Sequence, residues 1–183
     1  MDGRHGAVLK VGDHYELRFE RRLNHPPQKV WAAITGPGQM SRWFDTTQMP
    51  EDLKVGSVIR FHHAVIDQWS EGHVTRLEPG RLIEWEWRGV FGPPNPISWE
   101  ITPEPGGGCL LVMRQRTDDP SILARTLAGW DVCIQRLEAA AGDRGDLGGV
   151  GGWAPLFEAY KQDLLAAGIT EPQAGKPPPP PKP

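Results

Sequence analysis

The sequence predicts an α+β protein in which an antiparallel sheet of about six strands packs against one long C-terminal helix, with two short helices after the first strand. Three observations carry this. Residues 14–23 alternate strictly between two faces, five further segments with strand character follow at intervals of about ten residues, and an apolar stripe at spacings of four and three then runs from Leu123 to Ala141.

In the first strand Tyr15, Leu17, Phe19, Arg21 and Leu23 share one face, and Glu16, Arg18, Glu20 and Arg22 share the other. Asn24-His25-Pro26-Pro27 stops it and offers a proline near a helix start, after which Val30, Trp31 and Ile34 recur at helical spacing. Gly36-Pro37-Gly38 closes that helix, and a brief second one is expected near Gln39–Phe44. The polar stretch 45–54 has neither period. Strands are expected over 57–63, 69–77, 81–90, 96–102 and 109–117, separated by Asp67, Pro79-Gly80, Gly92-Pro93-Pro94 and Pro105-Gly106-Gly107-Gly108. Short turns between them imply an antiparallel meander. Asp119 is an expected N-cap with Pro120 at the first helical position, and Leu123, Leu127, Trp130, Ile134, Leu137 and Ala141 form the stripe that lies on the sheet. A further helix is expected over 153–167, after a glycine-rich loop at 142–152. The domain organisation that follows is an N-terminal extension (1–13), one domain (14–168) and a proline-rich, solvated tail (169–183).

Composition narrows the function. A chain of 183 residues is the size of one domain, and its formal charge of −3 gives no electrostatic footprint for nucleic acid or an anionic membrane surface. With no long apolar run and no secretory leader at the N-terminus, no membrane insertion is expected and the cytoplasm is the expected location. Cys109 and Cys133 stand apart, as small apolar core residues rather than a zinc or disulfide pair. Tryptophan stands out, with 8 residues against 5 Phe and 2 Tyr, so a wide apolar surface is being built.

Local motifs sharpen the expectation. Val30-Trp31-Ala32-Ala33-Ile34-Thr35, Trp43-Phe44, Gly72-His73-Val74 leading to Pro79-Gly80-Arg81-Leu82-Ile83-Glu84-Trp85, and Gly129-Trp130 with Leu137 follow one another along residues 14–141. In that order they resemble the helix-grip fold of the SRPBCC or START-like superfamily, in the branch homologous to the activator of heat-shock-protein-90 ATPase. The resemblance implies a curved sheet gripping the long helix, with a cavity between them that takes an apolar or amphipathic small molecule. The superfamily hosts lipid carriers, hormone receptors, cyclases and cochaperones on one scaffold, so the ligand does not follow from the fold. The eukaryotic cochaperone has a separate N-terminal chaperone-binding domain, whereas about thirteen residues precede the first strand here, which weakens an expectation of chaperone activation.

The candidate site follows from strand alternation. Ile83, Trp85, Trp87 and Gly89 share a face predicted to look toward the helix, as do Ile59, Phe61 and His63, then Ile97, Trp99 and Ile101, then Leu111, Met113 and Gln115. Leu127, Trp130 and Ile134 oppose them. The candidate ligand-binding residues are Trp43, Ile59, Phe61, His63, Ile83, Trp85, Trp87, Trp99, Met113, Gln115, Leu127, Trp130 and Ile134. Each suits core packing as well as a pocket wall, but indole rings are stiff and wide and carry one donor each, so walls of this kind suit a planar, aromatic or lipid-like ligand. The expected partner is a hydrophobic small molecule bound by a monomer or homodimer. His63, Gln115 and either Asp67 or Thr117 are the polar groups expected on that face, which keeps a cyclase or dehydratase as the alternative function; a protein-interaction or cochaperone-like module is the other.

No cofactor, metal or catalytic residue is assigned. His62 and His63 point to opposite faces of one strand, and no G-x-S-x-G, H-E-x-x-H or Cys–His arrangement occurs. Ser57, Ser70, Ser98 and Ser121 have no sequence context for a nucleophile. Gly106-Gly107-Gly108 joins two strands rather than opening a helix, so it is a hairpin turn and not a phosphate cradle. Arg144-Gly145-Asp146 is a coincidental integrin-type tripeptide, and Glu84 and Glu86 lie on the solvated face.

Overall fold

The computed structural model describes residues 6–64, 66–89, 92–142 and 152–169. The glycine-rich 143–151, with Arg144-Gly145-Asp146, the end of the strand expected to reach Val90, and the tail from 170 onward lie outside the described residues. Among the described residues, eight strands form one open antiparallel sheet. They are β1 (Ala7–Val11), β2 (His14–Leu23), β3 (Thr46–Gln48), β4 (Val58–His63), β5 (Gln68–Glu78), β6 (Leu82–Gly89), β7 (Gly92–Pro103) and β8 (Cys109–Thr117), in the spatial order β1-β2-β8-β7-β6-β5-β4-β3. Helices α1 (Pro27–Thr35), α2 (Leu123–Ala141) and α3 (Trp153–Ala166) complete the fold, with short 3₁₀ turns at Met40–Arg42 and Pro120–Ile122.

The five meander strands and the first strand occupy the segments their alternation predicts. The strand count is higher than the expected six because two short strands flank the sheet. Residues 7–11, expected to lie in an extension, form β1 and pair with β2 from Ala7 opposite Arg18 to Val11 opposite His14. That register leaves a two-residue turn, Gly12-Asp13, with Gly12 at φ 60°, the backbone that favours glycine at the first position of a II′ hairpin. β3 lies in the stretch 45–54, and three residues are too few to display a period. Side chains fix it instead: the Ser41 hydroxyl accepts from Thr47 N at 2.9 Å and donates to Thr47 O at 3.2 Å.

Asp119 caps the 3₁₀ turn before α2 by accepting from Ser121 N at 2.8 Å, as its position before Pro120 predicts. The α2 stripe packs on the inward face of the sheet, so that Leu123, Leu127, Trp130, Ile134 and Leu137 join Leu17, Ile83, Ile97, Ile101 and Leu111 in one buried cluster. α2 also meets α3, through Tyr160 at Asp131. A bulge between Val74 and Arg76 shifts the β5–β6 register by one residue and bends the sheet there.

Candidate functional site

Strand pleating, the α2 stripe and, for Trp43, the 3₁₀ turn after α1 bring the candidate residues together between sheet and α2, in two tiers. Trp43, Ile59, Phe61, Ile83, Trp85, Trp99, Met113, Leu127 and Ile134 are at most 1% exposed. Trp130, His63 and Gln115 are shallower at 5%, 6% and 7%, and Trp87 is half-buried. The deep tier packs as a core does, and the shallow tier faces the rim.

Five rings close a circuit across both tiers. Centroid distances are 5.5 Å for Trp99–Trp130, 5.9 Å for Trp130–Trp87, 4.9 Å for Trp87–Phe61, 6.1 Å for Phe61–Trp85 and 6.5 Å for Trp85–Trp99. The contacts at Trp130 are edge-on, at 77° and 69°, the geometry that sets the positive rim of one ring against the negative face of the next. Phe44, missed in sequence as a site residue, stacks on Trp130 at 5.5 Å and meets Trp87 edge-on.

The indole donors divide sharply. Trp43 Nε1 donates to Ala33 O at 2.9 Å and so ties the 3₁₀ turn to α1. Trp87 Nε1 donates to Ser70 Oγ at 2.9 Å, and Trp130 Nε1 donates to Gln115 Oε1, whose own amide donates to Asn95 Oδ1 at 2.8 Å. Among the described residues no acceptor lies within reach of Trp85 Nε1 or Trp99 Nε1, although both atoms are buried.

A second arrangement lies at the shallow end. His63 Nδ1 is 2.7 Å from Asp45 Oδ2, and His63 Nε2 is 2.7 Å from Ser70 Oγ. The three groups come from different elements: Asp45 precedes β3, His63 ends β4, and Ser70 lies on β5. Phe61 faces Ser70 and His63 faces Gln68 in the β4–β5 register, so His63 and Ser70 are diagonal neighbours on the inward face. His63 is also parallel to Trp87, with centroids 6.0 Å apart at 18°. Ser70 thus gains the histidine and carboxylate that its sequence surroundings do not provide. The signal available was period: Ser70 shares the inward face of β5 with Gly72 and Val74.

Of the two alternatives for a third inward polar group, Asp67 is overturned and Thr117 stands. Asp67 does not face inward; it occupies the β4–β5 turn at φ 50°, with its side chain 91% exposed, and holds the outward His62 at 2.8 Å. Thr117 is buried and accepts from Asp119 N at 3.2 Å. His62 and His63 diverge, as their adjacency on one strand requires, and among the described residues no three His, Cys, Asp or Glu side chains gather as a metal site needs.

Behind the aromatic circuit, Asp131 of α2 is 1% exposed and accepts from Arg21 Nη2 at 2.9 Å, Tyr160 Oη at 2.7 Å and Gln135 Nε2 at 3.2 Å. Burial, and then the Asp131 carboxylate, push the Tyr160 hydroxyl well above its ordinary range. Burial likewise pushes the Cys133 thiol up to about 12, and raises Cys109. Among the described residues the large exposed apolar side chains are Leu9 and Val11 on β1, Val55 before β4, Trp69 on β5 and Leu165 on α3. Among the described residues no helix is long and apolar enough to cross a membrane.

A long C-terminal helix laid on a large antiparallel sheet, with aromatic side chains between them, is the helix-grip architecture of SRPBCC-like proteins. The pattern defining the Activator of Hsp90 ATPase homolog 1-like protein family matches residues 24–142, and the chain belongs to that family. Solved structures of similar shape include a conserved protein of unknown function from Enterococcus faecalis, 16% identical, covering 88% of this chain and 91% of that one at a TM-score of 0.74. CalU16 from Micromonospora echinospora is 21% identical over 83% of this chain and 96% of that one, with a TM-score of 0.61. A protein from Mesorhizobium loti is 25% identical over 72% and 98%, with a TM-score of 0.62. No curated protein sequence matches the chain.

Proposed function

We propose that this protein binds a planar hydrophobic small molecule bearing at least one hydrogen-bond acceptor, held against the aromatic circuit between the sheet and α2. The observation that supports this reading is the pair of buried indole donors on Trp85 and Trp99 that find no acceptor among the described residues. A buried donor without an acceptor costs about 1–3 kcal/mol, and a carbonyl or ether oxygen on a ligand would remove that cost. The ligand reaches the circuit from the shallow tier, where Trp87, Trp130 and Phe44 provide ring faces and edges while His63 and Gln115 provide polar contacts. The rest of the proposed binding unit is the domain at 14–168, with β1 added to its edge. The same scaffold serves ligand binding and cyclase-type chemistry elsewhere, which is compatible with this reading.

The test is titration of intrinsic Trp emission with flavonoids, fatty acids and sterols, beside native mass spectrometry of the purified chain. Saturable quenching by a planar carbonyl-bearing compound is expected. Trp99→Phe keeps a ring and removes the donor, so it should weaken binding by roughly 5- to 10-fold, the value of one hydrogen bond. Absence of saturable change with every compound, in a folded chain, would overturn the reading.

A further inference from the structure

We propose that Ser70 is a nucleophile for esters, activated by His63 and oriented through Asp45. The inference rests on the binding reading only for the acyl part it assigns, a hydrophobic or aryl ester; the chemistry stands on the geometry of the three side chains. Ser70 Oγ has two partners, Trp87 Nε1 at 2.9 Å and His63 Nε2 at 2.7 Å. Indole only donates, so its N–H takes one Oγ lone pair; the Asp45 carboxylate only accepts, so a neutral His63 carries its proton on Nδ1 and takes the Ser70 hydroxyl proton on Nε2. Nε2 is then the acceptor, and Nδ1–H donates to Asp45 Oδ2 at 2.7 Å. One tautomer satisfies all three bonds, and it is the one a general base needs.

The order of groups is carboxylate, imidazole, hydroxyl, each within the 2.6–3.2 Å that proton transfer requires. In the reaction Ser70 Oγ bonds to the ester carbonyl carbon as its proton passes to His63 Nε2. The carbonyl–alkoxy bond then breaks, and the alcohol leaves with the proton from His63. Water gives a proton to His63 while its oxygen attacks the acyl carbon, Ser70 Oγ departs and recovers that proton, and a carboxylic acid is released. Asp45 Oδ2 accepts from Nδ1 and holds the imidazolium in place. Ser70 is 2% exposed, and we assign the approach of ester and water to the side bordered by the half-buried Phe44 and Trp87.

The full-length protein is incubated with a fluorophosphonate and separately with p-nitrophenyl butyrate, and the adduct is located by intact mass and peptide mapping. One phosphonyl group on Ser70 is expected, with a p-nitrophenol burst. Ser70→Ala should abolish both, and His63→Gln should slow labelling at least 100-fold. Asp45→Asn should slow it about 10-fold or more, with Asp45→Glu restoring part of the rate. Mapping of the unsubstituted chain needs no variant to fold. A chain whose Trp emission responds to ligand but whose Ser70 stays unlabelled overturns the nucleophile and leaves the binding reading intact. Labelling of Ser70 without any ligand response supports the nucleophile and overturns the aromatic ligand.

Discussion

Gly72 of β5 and Trp85 of β6 meet through the space a side chain at residue 72 would fill: a Cβ there would lie 2.7 Å from Trp85 Cδ1 and 3.1 Å from Phe61 Cε2. Two of the five rings in the aromatic circuit therefore depend on a missing methyl group. Gly72→Ala is expected to destabilise the fold by about 1–3 kcal/mol, the usual cost of overpacking. Chemical denaturation with Trp emission as the probe should show a lowered midpoint together with a shifted native spectrum. An unchanged midpoint and spectrum would mean that the rings are free to retreat.

Trp87 and Met113 separate binding from packing. Met113 is wholly buried and its exchange for Ala should cost about 2–5 kcal/mol of stability. Trp87 is half-buried at the rim, so Trp87→Ala should reduce ligand affinity by more than tenfold at a smaller cost in stability. Equal stability losses, with affinity unchanged in the Trp87 variant, would mark both as core residues.

Asp131 is predicted to be the most sensitive polar position. Asp131→Ala leaves the Arg21 guanidinium buried without its carboxylate, a change that costs about 3–5 kcal/mol. Tyr160→Phe removes one neutral donor and should cost about 1 kcal/mol. Urea midpoints of the two variants check the ranking, and a Tyr160→Phe loss equal to that of Asp131→Ala would contradict it.

Alkaline pH should weaken the fold through Cys133 and Tyr160. Both groups are held protonated in the folded chain, with Cys133 raised from 9.0 to about 12 and Tyr160 raised from 10.0. The unfolded chain releases these protons first, so it binds fewer of them and stability falls as pH rises. The contribution is fully present below about pH 9 and is lost progressively toward pH 12 for the thiol. Stability measured between about pH 8 and 10.5 should fall less steeply in Cys133→Ala than in the unsubstituted chain. Parallel slopes would exclude the thiol as the cause.

Much of this architecture can be read from period alone, because a residue's face follows from its neighbours two or four positions away. Ile83, Trp85 and Trp87 declare their side of β6 in this way, and Leu127, Trp130 and Ile134 declare theirs on α2. The relay around His63 escapes such reading, since Asp45 and Ser70 lie 18 and 7 residues away and meet it only through β3–β4–β5 pairing. Arg21 is an intermediate case. Its place on the apolar face of β2 is visible in the alternation, and a cation there demands a buried acceptor. That the acceptor is Asp131, 110 residues on, emerges only when α2 packs.

The adjacency of β2 and β8 also sets a clock on synthesis. Tyr15 pairs with Thr117 and Leu23 with Cys109, so the longest ladder of β2 waits for β8, the last strand to be made. At translation rates of about 5–20 residues per second, β2 spends roughly 5–20 s with that edge unpaired. Its outward face over that interval carries Glu16, Arg18, Glu20 and Arg22, alternating charges of the kind that discourage pairing with a stray strand. The nascent chain thus carries its own protection at the one edge it must keep open longest.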